Sequence, residues 1–395
     1  MKLVYSNVPP MRMSDQQYDL PSVFENEVLR SDEIVIASGY VSKKALNEIE
    51  RIAENYTLKN VVILLGMYCI EGFPEGVYNT AIRIHQKWKE NNKGEIRVTK
   101  SIKYHGKVYG FYNSGRIISG VVGSHNLSSL VQDANNLRQY ELSAFTEELS
   151  ECQEIDSHLK QLMSVPCSVP IDEVDNPIII HEENTKLNNV EGVVKVSMSD
   201  VFAYKNSQTN ILFDIPLKVP GIPGESNDFM KSNINKCYAK GRLNSRTGVV
   251  TERGWWETEI IVSKSITSHP DYPDRDTPFF VITDDGWKFK MHASGDHKKN
   301  LESDGDLKIL GYWLKGRLVA AGVVEPVDSP AEDLKLVIEQ GYDIYAHCKG
   351  VITYQKLARY GRTSVSLTKT LNKLADEAGI MRDVWVLSFL PKDVR

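Results

Sequence analysis

Between Tyr104 and Ser128 the chain reads YHGKVYGFYNSGRIISGVVGSHNLS, a stretch that gathers the residue types needed to attack a phosphodiester without a metal. In an extended segment, residues two apart point the same way. His105, Lys107 and Tyr109 therefore share one face, and Ser124, Asn126 and Ser128 share a face one strand later. A turn at Asn113-Ser114-Gly115 would fold the two sets together. An imidazole serves as nucleophile or as acid and base near neutral pH, a lysine supplies a point charge for a phosphate oxygen, and a hydroxyl and a carboxamide add neutral donors. The segment Arg138 to Phe145 reads as a further strand whose Glu141 could accept a hydrogen bond from one ring nitrogen of His105 and so orient the other. His-x-Lys alone is a weak signal, since it recurs elsewhere in the chain, as at His85/Lys87, His297/Lys299 and His347/Lys349. Only the His105 copy is followed by Gly-Ser-x-Asn.

The elements around this stretch have an α/β rhythm. Helices are expected over LPSVFENEVLRS, over SKKALNEIERIAENY with Ser42 as N-cap, and over PEGVYNTAIRIHQKWKEN. Strands are expected over DEIVIASGYVS, VVILLGM and EIRVTK. Such an alternation argues for a layered domain on a mostly parallel sheet. An acidic amphipathic helix, EELSECQEIDSHLKQLM, would close it, giving a first domain over residues 1–165. The Pro-rich, acidic text of residues 166–191 reads as a linker or strap.

Residues 192–395 are mainly β. VVKVSMS, ILFDIPLKV, TEIIVSKSI, PFFVITDDGWKFKMHA and RTSVSLTKT read as strands, with Asp285-Gly286 as a hairpin signal. DGDLKILGYWLKGRLVAAGVV, AEDLKLVIEQGYD and TKTLNKLADEAG read as helices.

The 395 residues, 41% hydrophobic and 25% charged, suit two globular domains, and no apolar window approaches a membrane span. Five scattered cysteines without Cys-x-x-Cys spacing point to a reduced cytoplasm and away from a zinc site. A net charge of −5 reads poorly for nucleic acid. Charge is local, however: residues 231–254 hold Lys231, Lys236, Lys240, Arg242, Arg246 and Arg253 against the single acid Glu252.

His105-Gly-Lys107, then Gly123-Ser124-His125-Asn126, then Glu141 resembles the single HKD-type half-motif of the phospholipase D superfamily in its nuclease branch. That pattern often places an Asp shortly after the lysine, and Tyr112 stands in the slot here, which shifts the resemblance toward restriction endonucleases. PFFVITDDGWKFKMHASGDHKKNLESDGDLKILGYWLKGRLVAAGVV followed by YGRTSVSLTKT resembles the C-terminal part of NgoFVII-type restriction endonucleases. The resemblance implies an α/β phospholipase D-like nuclease domain followed by a mainly β, B3-like pseudobarrel that grips duplex DNA with two arms. By position the first arm is CYAKGRLNSRTGVVTERGWW and the second ASGDHKKN. Lys240, Arg242, Asn244, Arg246 and Arg253 on the first, and Lys298, Lys299 and Asn300 on the second, are the candidates for bases or phosphates, since Arg pairs bidentately with guanine and Asn with adenine.

The resulting expectation is a type II restriction endonuclease that needs no metal or other cofactor. His105, Lys107, Ser124, Asn126 and Glu141 form its catalytic set. One half-motif per chain implies a homodimer sharing one site, with a covalent phosphohistidine on His105. The resemblance further implies duplex DNA as partner, a cognate DNA methyltransferase and no membrane. Three readings compete: a lipid-cleaving relative, an inactive DNA-binding regulator, and a nuclease for RNA or DNA structures. A lipid enzyme would need a second His-x-Lys with its own Gly-Ser-x-Asn. The intact catalytic set argues against the regulator, and major-groove readout favours duplex DNA over A-form RNA.

Overall fold

A computed structural model describes the chain except for Thr57, residues 132–138 and 225–232, Lys240, Asn244, Ser245 and residues 392–395; the side chains of Asn233, Arg242 and Leu243 are likewise outside the description. It divides into two compact units, Met1–Glu182 and Glu183–Arg395. No helix among the described residues is long and apolar enough to cross a membrane.

The first unit runs β1 (Lys2–Tyr5), β2 (Tyr18–Asp19), α1 (Leu20–Arg30), β3 (Glu33–Ser38), α2 (Lys43–Asn55), β4 (Asn60–Leu65) and α3 (Tyr68–Glu71). It continues through β5 (Phe73–Pro74), α4 (Glu75–Glu90), β6 (Gly94–Thr99), β7 (Lys107–Asn113), β8 (Arg116–Gly123) and a 3-10 turn over Leu127–Leu130. β9 (Leu142–Thr146), α5 (Leu149–Met163), β10 (Ser168–Pro170) and β11 (Ile179–Ile180) complete it. Ser42 caps α2 by accepting the Ala45 N–H, and the Asn113–Gly115 turn takes left-handed φ of 52° at Ser114 and 75° at Gly115, as a tight hairpin requires.

One sheet carries the unit, in the order β10-β6-β4-β3-β7-β8-β9-β1-β2. The expected mostly parallel sheet is instead mixed. β3, β4 and β6 are parallel, but β7, β8, β9 and β1 join antiparallel beside β3. The sequence does not announce this, because β7 is buried along nearly its whole length, with Tyr109 and Phe111 under α1 and Val108 and Tyr112 under α5. A strand covered on both faces shows no alternation, so its text does not betray its direction. Residues 166–182, the start of the stretch read as a linker or strap, are strapped onto this unit. β10 pairs with β6, β11 pairs with β5, and Ile171 is fully buried in the core.

The second unit contains β12 (Val194–Lys195), α6 (Met198–Asn206), β13 (Gln208–Pro216), β14 (Arg242–Leu243), β15 (Val250–Thr251), β16 (Ile260–Ile261) and α7 (Lys264–Thr267). β17 (Phe279–Thr283), β18 (Trp287–Ser294), β19 (Asn300–Ser303), α8 (Leu307–Ala320), α9 (Pro330–Glu339) and α10 (Ile344–His347) follow, then α11 (Tyr354–Tyr360), β20 (Ser364–Ala375) and β21 (Met381–Ser388). The sheet path is β13-β20-β21-β17-β18-β19-β16, and no pair among the described residues joins its two ends. α8 places Trp313 and Leu314 in the core, where Phe289 and Phe389 also lie. TKTLNKLADEAG is not helical. Its first part is the end of β20, paired with β13 and β21, and Asp376 closes the turn to β21 by accepting the Ala378 and Ile380 N–H groups.

Candidate active site

The ends of β3 and β8 and the starts of β7 and β9 meet at one edge of the first sheet. The register sets Ser38 opposite Lys107, Val108 opposite Val122 and Gly123 opposite Ser143. His105 sits two residues before Lys107, the first residue of β7, exposed, on a connection locked to the backbone beneath it. Tyr104 N–H donates to the Gly66 carbonyl at 2.8 Å, Gly39 N–H donates to the Gly106 carbonyl at 3.2 Å, and Thr99 Oγ1 donates to Gly66 O at 2.7 Å. The approach is so close that a Cβ on Gly66 would lie 1.9 Å from Tyr104 O. Burial of the Tyr104 phenol pushes its pKa up to about 12.

Lys107 is 5% exposed, and its Nζ lies 3.2 Å from each ring nitrogen of His105 and donates to the His105 carbonyl at 2.6 Å. Burial lowers the Lys107 pKa, and the Glu141 carboxylate opposes that shift. The His105 ring packs edge-on against Tyr40, centroids 5.6 Å apart. Tyr40 in turn donates to Glu71 at 2.7 Å, and Lys103 pairs with the same carboxylate at 3.1 Å. These bonds hold Glu71 below its ordinary pKa, with a smaller contribution from His105 itself.

Ser124 and Asn126 stand at the same edge in different states. The Ser124 hydroxyl is engaged with one neighbour, accepting the Leu142 N–H at 2.9 Å and donating to Leu142 O at 3.2 Å. It splices the end of β8 to the start of β9. Asn126 precedes the 3-10 turn without capping it, and its Oδ1 is buried with no hydrogen-bond partner among the described residues. Leaving such an acceptor unpaired costs about 1–3 kcal/mol, so this oxygen is open to a hydrogen-bond donor.

Glu141 is close enough to act electrostatically on Lys107, Tyr109 and His125. Its carboxylate accepts from Gln139 Nε2 at 2.6 Å; among the described residues, no hydrogen bond joins it to His105. Its backbone N–H donates to Ser6 Oγ at 3.0 Å. The sequence reading passed over His125, the variable position of Gly-Ser-x-Asn. This histidine is 2% exposed, with Nδ1 2.7 Å from Ser143 Oγ and Nε2 3.2 Å from Ser6 Oγ. Burial lowers its pKa, favouring the neutral ring. Its carbonyl accepts the Tyr109 hydroxyl at 2.8 Å. Only its place inside the motif could have marked it; Ser6, Tyr40 and Glu71 carry no local signal.

Tyr112, in the Asp slot, lies five residues along β7 from Lys107, about 17 Å at strand spacing. It is buried and donates to Asp156 of α5 at 3.1 Å. The slot therefore belongs to the packing of α5. Among the described residues, no group of three or more His, Cys, Asp or Glu side chains is placed to hold a metal ion.

In the second unit, β14 and β15 form a separate two-stranded ribbon, Arg242 opposite Thr251 and Leu243 opposite Val250. Lys240 and Asn244 lie outside the described residues, as does the side chain of Arg242. Arg246 is exposed at the ribbon's turn. Arg253 is not presented to solvent in the same way: its side chain is 15% exposed and lies 3.5 Å from Glu259 and 3.9 Å from Glu257. The second candidate arm is a turn between β18 and β19, with positive φ at His297 and Lys298. Lys298 reaches Asp274 at 3.7 Å and lies over the Tyr272 ring, Lys299 is exposed, and Asn300 opens β19.

Two family models match the chain. The NgoFVII restriction endonuclease N-terminal PLD domain matches residues 19–176, and the NgoFVII C-terminal B3-like DNA-binding domain matches residues 203–348. The first span contains His105 through Glu141 and the second contains both candidate arms. No curated protein matches the chain significantly.

Proposed function

The chain belongs to the NgoFVII restriction endonuclease family, with a PLD domain and a B3-like DNA-binding domain, and we propose on that premise that it is a type II enzyme cutting duplex DNA at a specific sequence through a phosphohistidine, without a metal. The observation that carries the reading is the His105–Lys107 pair, an exposed imidazole with an ammonium 3.2 Å from its nitrogens.

Each chain supplies one such pair, so two copies share a site. A ring nitrogen of His105 attacks phosphorus, the N–P bond forms as the P–O3′ bond breaks, and His105 of the partner subunit gives the leaving O3′ its proton. Water then attacks phosphorus, losing a proton to the partner subunit's His105, and the N–P bond breaks. The Lys107 ammonium stabilises the charge that grows on the non-bridging oxygens, assisted by the N–H groups at the Nδ2 end of the Asn126 carboxamide. Ser124 keeps β8 joined to β9, and Glu141 sustains the charge on Lys107. Arg246 and the arm candidates other than the carboxylate-paired Arg253 are assigned to DNA, and a cognate methyltransferase would protect the host's own sites.

The test is incubation of the purified chain with phage DNA in EDTA, followed by sequencing of the fragment ends. Discrete fragments with a common end sequence are expected, and none from His105→Ala. Full cleavage by His105→Ala would remove the nucleophile, and a magnesium requirement would remove the metal-free step. Activity from a strict monomer would remove the shared site.

A further inference from the structure

The family match begins at residue 19, yet the edge that holds the catalytic set is completed by residues before it. β1 pairs with β9 along its whole length, Tyr5 opposite Leu142, which delivers the next residue, Ser6, to Glu141 and His125. Its hydroxyl accepts the Glu141 N–H at 3.0 Å and lies 3.2 Å from His125 Nε2. The other nitrogen of that ring meets Ser143 of β9 at 2.7 Å, and the His125 N–H donates to the same Ser143 hydroxyl at 3.3 Å. A hydrogen-bonded loop therefore runs from Ser6 to His125 to Ser143 and back through β9 to Glu141. On the far side Ser124 fixes Leu142. Glu141 is held between two serine hydroxyls, one on its own N–H and one on the next residue's.

We propose that Ser6 is a positioning residue for Glu141, acting with the His125 bridge, so that the N-terminal strand outside the family-matched span completes the active site. The inference rests on the nuclease reading above. Ser6 touches no reacting atom; it sets where the Glu141 carboxylate stands relative to Lys107. His125 is buried between two hydroxyls and so acts as a strut, whereas His105 is exposed at the edge.

Full-length Ser6→Ala, Ser6→Thr, Glu141→Gln and Ser6→Ala/Glu141→Gln proteins test this by single-turnover cleavage across pH, with DNA affinity measured alongside. Ser6→Ala should lower the cleavage rate constant about 10- to 100-fold, the scale of a small misplacement, with DNA affinity unchanged. Its alkaline limb should move to lower pH, as Glu141 drifts from Lys107, and Ser6→Thr, which keeps the hydroxyl, should restore both. In the Glu141→Gln background Ser6→Ala should cost nothing further, which a purely structural loss would not reproduce. An unaltered rate in Ser6→Ala, or the same proportional loss with and without Glu141, would overturn the inference alone. No cleavage by the unsubstituted chain would overturn the nuclease reading and this inference with it.

Discussion

Lys107 donates to the carbonyl oxygen of the same residue, His105, whose ring nitrogens it faces at 3.2 Å. The ammonium is thereby tethered beside the proposed nucleophile before any phosphate arrives. Burial works against its charge and Glu141 works for it.

Glu141→Gln removes the favourable influence, so the Lys107 pKa falls further below the ordinary lysine value. In the proposed mechanism the side chain is needed protonated, so activity should be lost as pH rises through its pKa. The alkaline limb of the cleavage rate should therefore shift to lower pH in Glu141→Gln, with a smaller loss at pH 6 than at pH 8. A limb that stays in place would show that Glu141 does not act through Lys107.

Arg253 and Arg246, adjacent in the sequence reading, should separate on substitution. Arg253→Ala strips two carboxylates of a guanidinium that is 15% exposed, and should destabilise the second unit by about 1–3 kcal/mol without altering which sequence is cut. Arg246→Ala, at an exposed position, should alter urea unfolding less than Arg253→Ala does, while weakening DNA binding and reducing the log–log salt slope by about one. Urea denaturation and salt-dependent binding titrations check both, and a changed cut sequence in Arg253→Ala would return that residue to the readout.

Lys315 of α8 is fully buried, donates to the Trp255 carbonyl and lies over the Trp255 ring, and burial lowers its pKa to about 8. Between about pH 8 and the ordinary lysine value the unfolded chain binds a proton that the folded chain does not, so this group makes stability rise with pH there. Its penalty is full below about pH 8. The stability of Lys315→Met relative to the unsubstituted chain should therefore be most favourable near neutrality and decline above pH 8, by at most about 1.4 kcal/mol per pH unit. Urea midpoints at pH 7, 8.5 and 9.5 give the comparison; a difference independent of pH would refute it.

What could be read in the sequence was local. His105 and Lys107 are two residues apart, the Asn113–Gly115 turn fits the φ values it needs, and Ser42 caps the helix it precedes. Each depends on a few adjacent residues. Glu141's neighbours are not of that kind, because Ser6 reaches it only through the pairing of β1 with β9, across 135 positions. Ser124 was legible as a residue but not in its engagement, since nothing in Gly-Ser-x-Asn says that its hydroxyl will be taken by Leu142. The end of β20 was misread because Leu371, Lys373 and Ala375 suit a helix as well as a strand, and the partners β13 and β21 decided between them.

The missing side chain at Gly66 bears on timing. With the Tyr104 carbonyl occupying the space a Cβ would need, the connection that carries His105 is fixed during folding, and its conformational freedom is surrendered there. For the connection that carries His105, then, no backbone search is left at encounter, so its part in the first bond change should track how the duplex is laid across it.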